Sequence, residues 1–350
     1  MINDRIEQRW LAAFRQVFEL CKVQAGEQVA LLAESQSRSL NIELARLALE
    51  QLGTYPVTVT VPTPAQTAPV PVRSTGASQA LRGQSAALAA LQASQLVIDL
   101  TVEGLLHAPQ LPDILGAGAR VLMVSNEHPD ALERLVPVAA DEVVARAAIK
   151  ACRVASAMHV SSAAGTDLHI DLTDARTGGV WGWADKPGML SHWPAGIVVN
   201  FPKAGAVNGR LVMDAGDINL TFKRYLTSSV ELIIENDFVT AINGVGTDAE
   251  LMRRYLAAWG DMQAYGVSHV GWGLNERARY EALAMYDQRD TNGTELRAFA
   301  GNFLYSTGAN ETAGRFTEGH FDLPVRNCTV TLDGRAVVDA GQLVKVCSDD

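Results

Sequence analysis

Residues 29–61 read VALLAESQSRSLNIELARLALEQLGTYPVTVTV, and the change of hydrophobic period within that stretch decides the fold class. Val29-Ala30-Leu31-Leu32-Ala33 is a short unbroken apolar run, the pattern of a strand buried on both faces. Leu40, Leu44, Leu47 and Leu52 then recur on one side of a helix, with Gly53 placed as its C-cap. Pro56-Val57-Thr58-Val59-Thr60-Val61 is rich in β-branched residues and predicts a second strand. Strand, helix, strand in that order predicts parallel pairing through right-handed crossovers.

The same alternation extends outward on both sides. Ile6, Trp10, Phe14, Val17 and Cys21 predict a helix over residues 4–22, and Gly26 leads into the first strand. Leu81 to Ala93 is an Ala/Leu-rich helix, Leu96-Val97-Ile98-Asp99-Leu100 a third strand and Val121-Leu122-Met123-Val124 a fourth. Thr63 to Ser78, with Pro64, Pro69 and Pro71, is expected to be a loop over the sheet. Gly116-Ala117-Gly118 precedes a strand instead of joining strand to helix, so it is not a phosphate loop. There is no repeat of solenoid period and no low-complexity tail.

Beyond about residue 150 the texture turns β-rich, at His169–Leu172, Gly196–Asn200, Arg210–Met213 and Val230–Ile234. The expected organisation is an α/β domain with a parallel sheet over 1–150, followed by an α+β domain over 151–350 that carries the chemistry. Thr247-Asp248-Ala249-Glu250 has capping-box spacing, and Leu251, Tyr255, Trp259 and Met262 continue it as one helical stripe destined for the core. Asp333-Gly334 between two alternating runs predicts a closing hairpin.

The 350 residues carry 29 Lys and Arg against 39 Asp and Glu, a formal charge of -10, with no basic cluster interleaved with aromatics. That balance argues against nucleic acid as a partner. Met1–Glu7 lacks a basic leader and apolar core, and no apolar run spans 18 residues, so a soluble cytoplasmic protein is expected. The four cysteines, Cys21, Cys152, Cys328 and Cys347, form no Cys-x-x-Cys pair and are expected to be reduced.

Two segments hold the candidate chemistry: Ser268-His269-Val270-Gly271-Trp272-Gly273 and Gly319-His320-Phe321-Asp322. On an extended chain His320 and Asp322 point to one side, so one ion reaches both. His269 is again locally extended, with Gly271 and Gly273 allowing close backbone approach. Two imidazoles and a carboxylate make the ligand set of a mononuclear non-haem iron site, in which three positions stay open for reactants. A lone His-x-Asp is also common by chance, a surface His beside a solvated Asp.

The two segments, with Leu274 and Asn275 after the first, resemble the C-terminal metal-binding motifs of the aminopeptidase T family of metallopeptidases. The whole chain resembles more closely the 2,5-dihydroxypyridine 5,6-dioxygenase family, ring-opening enzymes of bacterial nicotinate and nicotine breakdown that share the peptidase fold. Ser191-His192-Trp193-Pro194-Ala195-Gly196 and Asn302-Phe303-Leu304-Tyr305-Ser306-Thr307-Gly308 extend that likeness over the full length. The peptidases bind two metal ions through further glutamates, at least one upstream of the first histidine motif. Here Gly260-Asp261-Met262-Gln263-Ala264-Tyr265-Gly266 holds none, and without one the water-activating chemistry lacks its base.

The resemblance implies Fe(II) held by His269, His320 and Asp322. It also implies a catalytic base at His107, which lies just beyond the C-terminal end of the third strand, where open α/β sheets present ligand-binding groups. His192, in a loop before Trp193-Pro194, is a candidate hydrogen-bond partner for the substrate. Ser306 is a candidate for the pyridine nitrogen or a ring oxygen. His128 looks like a turn residue, and His159 and His169 carry no motif. The implied reaction joins 2,5-dihydroxypyridine and O2 into N-formylmaleamate by extradiol-type cleavage, in a homo-oligomer. The alternatives are a metal-dependent aminopeptidase and a metal-free small-molecule binding protein.

Overall fold

The structure, a computed structural model, describes residues 5–65 and 78–344. Most of the proline-bearing Thr63–Ser78 stretch, and Cys347, lie outside the described residues. The first half runs α1 (Gln8–Leu20), β1 (Val29–Glu34), α2 (Ser39–Gln51), β2 (Val57–Val61), α3 (Ser85–Gln92), β3 (Leu96–Asp99), α4 (Leu111–Gly116), β4 (Arg120–Val124), α5 (Pro129–Arg134) and α6 (Ala139–Val154). Every residue of β1 and of β3 is buried, as their unbroken apolar runs require. Successive side chains pack on opposite layers. Leu31, Ile98 and Leu122 join α1 and α2 in one core, while Ala30, Leu32, Val97 and Val121 join α3 and α4 in another.

The second half is almost wholly antiparallel. Its elements are β5 (Ala157–Ser162), β6 (Asp167–Asp171), β7 (Arg176–Val180), β8 (Leu190–Trp193), β9 (Ile197–Phe201), β10 (Val207–Met213), β11 (Ile218–Asn219), β12 (Arg224–Tyr225), β13 (Val230–Glu235), β14 (Phe238–Asn243), α7 (Thr247–Ala258), β15 (Val267–Gly273), α8 (Ala282–Met285), α9 (Thr294–Ala298), β16 (Phe303–Thr307), β17 (Phe321–Val325), β18 (Cys328–Leu332), β19 (Arg335–Asp339) and β20 (Gln342–Leu343). One sheet has the order β14-β13-β10-β6-β5-β18-β19-β20, a second the order β17-β16-β15-β9-β7, and β11 with β12 forms a small ribbon.

The parallel sheet has the order β2-β1-β3-β4-β8, so its fifth strand comes from beyond residue 151. Val121 of β4 pairs with Leu190 of β8 in parallel register. His192 therefore sits on a strand, not in the loop expected for it. One hydrophobic cluster also runs without a break from α1 and α2 through Trp193 to the eight-stranded sheet, with Phe14 and Trp193 rings 5.0 Å apart. The α/β and antiparallel layers share a core.

Two local expectations differ. No side chain of a capping box closes α7: Gly246 is the N-cap, Glu250 pairs with Arg254 at i,i+4, and Asp248 accepts from Thr227 and Ser228. The buried face of α7 carries Met252, Tyr255 and Leu256, and Met262 lies beyond the helix, exposed. The helix stops at Ala258, so the stripe cannot continue with the same phase. At the closing hairpin Asp333 (φ 47°) and Gly334 (φ 82°) take the left-handed conformations that the two-residue turn demands. Cys21, Cys152 and Cys328 are buried free thiols, and no described helix is long and apolar enough to cross a membrane.

Candidate metal centre

Strand register assembles the site. Across the three neighbouring strands β15, β16 and β17, His269 pairs with Ser306 and Ser306 pairs with Asp322. Directly opposed residues share a face, so all three project together, and His320, just before β17, joins them. Nε2 of His320 lies 3.1 Å and Nε2 of His269 3.8 Å from the same oxygen, Asp322 Oδ1. All four residues are buried. β15 approaches its neighbours so closely that a Cβ at Gly271 would strike the Val198 carbonyl, and one at Gly273 the Phe299 carbonyl. The glycines around His269 are the condition for that packing.

The donor atoms are set by hydrogen bonds behind them. Ser268 Oγ donates its single proton to the Ala309 carbonyl at 2.6 Å, and lies 3.1 Å from His269 Nδ1. The hydroxyl must accept from Nδ1–H, which leaves the Nε2 lone pair facing Asp322. Asp322 Oδ1 accepts from Ser306 Oγ and Oδ2 accepts from Arg297 Nε. Burial opposes its charge, but His320 and Arg297, with His269 adding, hold the carboxyl well below its usual range. Burial keeps the His269 imidazole neutral, its pKa down to about 4 against the pull of Asp322. Two imidazoles and an ionised carboxylate, all buried, with both Nε2 atoms turned to one carboxylate oxygen, fit a divalent transition metal.

The expected partners converge from the parallel sheet. His107 follows β3, its ring centroid 4.8 Å from His320 and 6.3 Å from His269. Burial first, then the two neighbouring imidazoles, pushes its pKa well below the ordinary histidine value. The loop that carries it is organised by buried Asp99, whose carboxylate accepts from Thr101 N at 3.0 Å, Thr101 Oγ1 at 2.7 Å and Leu105 N at 2.7 Å. His192 Nδ1 is bonded to the Pro194 carbonyl, which only accepts, so its Nε2 is the acceptor atom. Burial lowers its pKa to about 4.

His107, His192, His269, His320, Asp322 and Arg297 all line one cavity of about 330 Å³. Val180, Ile197, Val199 and Leu304 make its walls apolar on the β7, β9 and β16 side. Ser306 has a different place from the one expected: it is wholly buried and its hydroxyl is spent on Asp322 instead of facing the cavity. Arg297, on α9, escaped the sequence argument. It lies far from both motifs along the chain, on a short helix with no motif of its own, and only the fold brings it to Asp322.

A family model described as 2,5-dihydroxypyridine 5,6-dioxygenase matches residues 9–345. A 2,5-dihydroxypyridine 5,6-dioxygenase of Pseudomonas putida KT2440 is 38% identical over 335 residues, which cover 95% of each chain. The solved structure of the 2,5-dihydroxypyridine dioxygenase from Pseudomonas putida KT2440 superposes with a TM-score of 0.92 at 35% identity and covers 100% of both chains. Wild-type AmpT from Thermus thermophilus superposes with a TM-score of 0.66 at 16% identity, covering 96% of this chain and 99% of its own, a likeness of fold alone.

Proposed function

The chain belongs to the 2,5-dihydroxypyridine 5,6-dioxygenase family, and on that premise we propose that it opens the ring of 2,5-dihydroxypyridine with O2 at a ferrous centre held by His269, His320 and Asp322. The observation that carries the assignment is the register row His269–Ser306–Asp322 with His320 beside it, which turns two Nε2 atoms on one carboxylate oxygen. Cleavage between C5 and C6 retains both oxygen atoms and yields N-formylmaleamate, so the reaction consumes one O2 per ring.

Ferrous iron, when bound, supplies adjoining positions for a chelating substrate and for O2. The protein's own groups do the rest. His107 is neutral at pH 7 and stands over the ligand set, suited to take a proton from a ring hydroxyl and raise the ring's electron density. His192 Nε2 accepts a hydrogen bond from a substrate N–H or O–H. Ser306 acts through Asp322 instead of on the ring, and Arg297 steadies the other carboxylate oxygen. Val180, Ile197 and Val199 present apolar surface to the ring and limit water.

The peptidase alternative retains the fold likeness alone, and the family membership favours the dioxygenase. The test is oxygen uptake by anaerobically purified, ferrous-loaded protein on adding 2,5-dihydroxypyridine, with the substrate's ultraviolet band followed in parallel. Equal consumption of oxygen and substrate is expected. Absence of uptake, with amino acid released from short peptides under zinc or cobalt, would return the chain to the aminopeptidases.

A further inference from the structure

Three side chains that the ring-opening site does not use meet on the outer face of the eight-stranded sheet. Asp167 and His169 are two apart on β6 and project together, and His159 of β5 is paired with His169 across the strands. Nε2 of His159 lies 2.8 Å and Nε2 of His169 3.3 Å from the same atom, Asp167 Oδ1. The two rings stack with centroids 4.5 Å apart and planes 21° from parallel. All three donor atoms fall within 4.8 Å of one another. β5 and β6 are interior strands, bonded to β18 and β10 on their outer sides, so the backbone beneath the cluster is held from both directions.

We propose that His159, Asp167 and His169 form a second metal site, separate from the cavity, for a divalent ion of the zinc class. The donor set is two imidazole nitrogens and one carboxylate oxygen, which suits a borderline ion in tetrahedral coordination with water as the fourth ligand. Metal–ligand bonds of about 2.0–2.2 Å need ligand atoms roughly 3.4 Å apart. The two nitrogen-to-oxygen separations, 2.8 and 3.3 Å, fall just short of that spacing, and these exposed side chains reach it by small rotations while the strands stay fixed. Arg210 is paired with Asp167 across β6 and β10, and its positive charge opposes a cation bound at that carboxylate.

The site lies on an exposed sheet face, and none of its three residues lines the cavity. It rests on no part of the dioxygenase assignment. One consequence bears on metal counting, because a second ion per chain then says nothing of a dinuclear peptidase centre.

The experiment is equilibrium dialysis of ferrous-loaded protein against Zn2+, with zinc and iron counted in the same sample. Wild-type protein is expected to hold one zinc more per chain than His169→Ala or Asp167→Asn, and both variants to match wild type in remaining iron and, before zinc is added, in turnover and thermal midpoint. His320→Ala loses the cavity ion and still takes that zinc, and Arg210→Ala takes it more tightly. Equal zinc in wild type and His169→Ala would overturn the proposal. So would wild-type binding at the outer face weaker than about 0.1 mM.

Discussion

Arg297 and Asp322 form a part-buried ion pair in which the carboxylate accepts from the guanidinium at Oδ2 and turns Oδ1 toward both His269 and His320. The pair divides the labour of one carboxylate between anchoring and ligation. Truncating Asp322 therefore has two effects. Asp322→Ala is expected to lose bound iron, and also to lower stability by about 2 kcal/mol because the part-buried Arg297 keeps its charge without a partner. Iron per chain by metal analysis and a urea melt of the metal-free protein separate the two. Intact iron in Asp322→Ala or in His320→Ala would refute the ligand assignment.

Removing the cation instead of the carboxylate should spare the ligand and loosen it. Arg297→Gln is expected to weaken iron about 10- to 100-fold, the cost typical of losing a group that orients a ligand. A ferrous titration with a competing chelator measures it. Unchanged iron affinity would reduce Arg297 to a packing residue.

His107 stands over the ligands with its ring centroid 4.8 Å from that of His320 and 6.3 Å from that of His269, so proton transfer and metal binding should separate there. His107→Ala is expected to keep wild-type iron and to slow turnover about 10²- to 10⁴-fold, the range for a lost general base. Asp99→Asn should act in the same direction but less, because the loop from Thr101 to Leu105 loses an acceptor and His107 its setting. A fall in kcat with iron retained supports both, and loss of iron in His107→Ala would place His107 among the ligands.

The neutral imidazoles predict a pH dependence of the metal-free protein. His192 and His269 have pKa values pushed down by burial to about 4, against about 6.5 in an unfolded chain. Between those values the unfolded chain binds more protons, so stability falls as pH drops from about 6.5 toward 4 and is level above 6.5. Thermal midpoints over that window should decline less steeply in His192→Gln. Parallel slopes would show that His192 is accessible to protons in the folded state.

Gly271 tests the packing that positions His269. Gly271→Ala directs a methyl into the Val198 carbonyl of a fully hydrogen-bonded neighbour strand, which cannot yield without breaking the β9–β15 register. A loss of at least about 3 kcal/mol, or failure to accumulate folded protein, is expected. A wild-type melting curve would mean that the strands part at little cost.

What the chain alone decided was whatever depends on local period and local chemistry. Unbroken apolar runs separated by a 3.6-residue stripe specify buried parallel strands and their helices, and β1, β3 and β4 fall where those runs are. His320 and Asp322 share a side because extended residues two apart must. Tertiary structure decided what depends on which strands become neighbours. The pairing of β4 with β8 drew residues from beyond 151 into the first sheet and put His192 on a strand. The pairing of β16 with β15 and β17 turned Ser306 onto Asp322 and away from the cavity. Arg297 and the cross-strand partner His159 belong to the same class. Periodicity along a chain records which face a residue takes, whereas register between strands far apart in sequence is fixed by the shared core and the hydrogen-bond ladder, which no local spacing encodes.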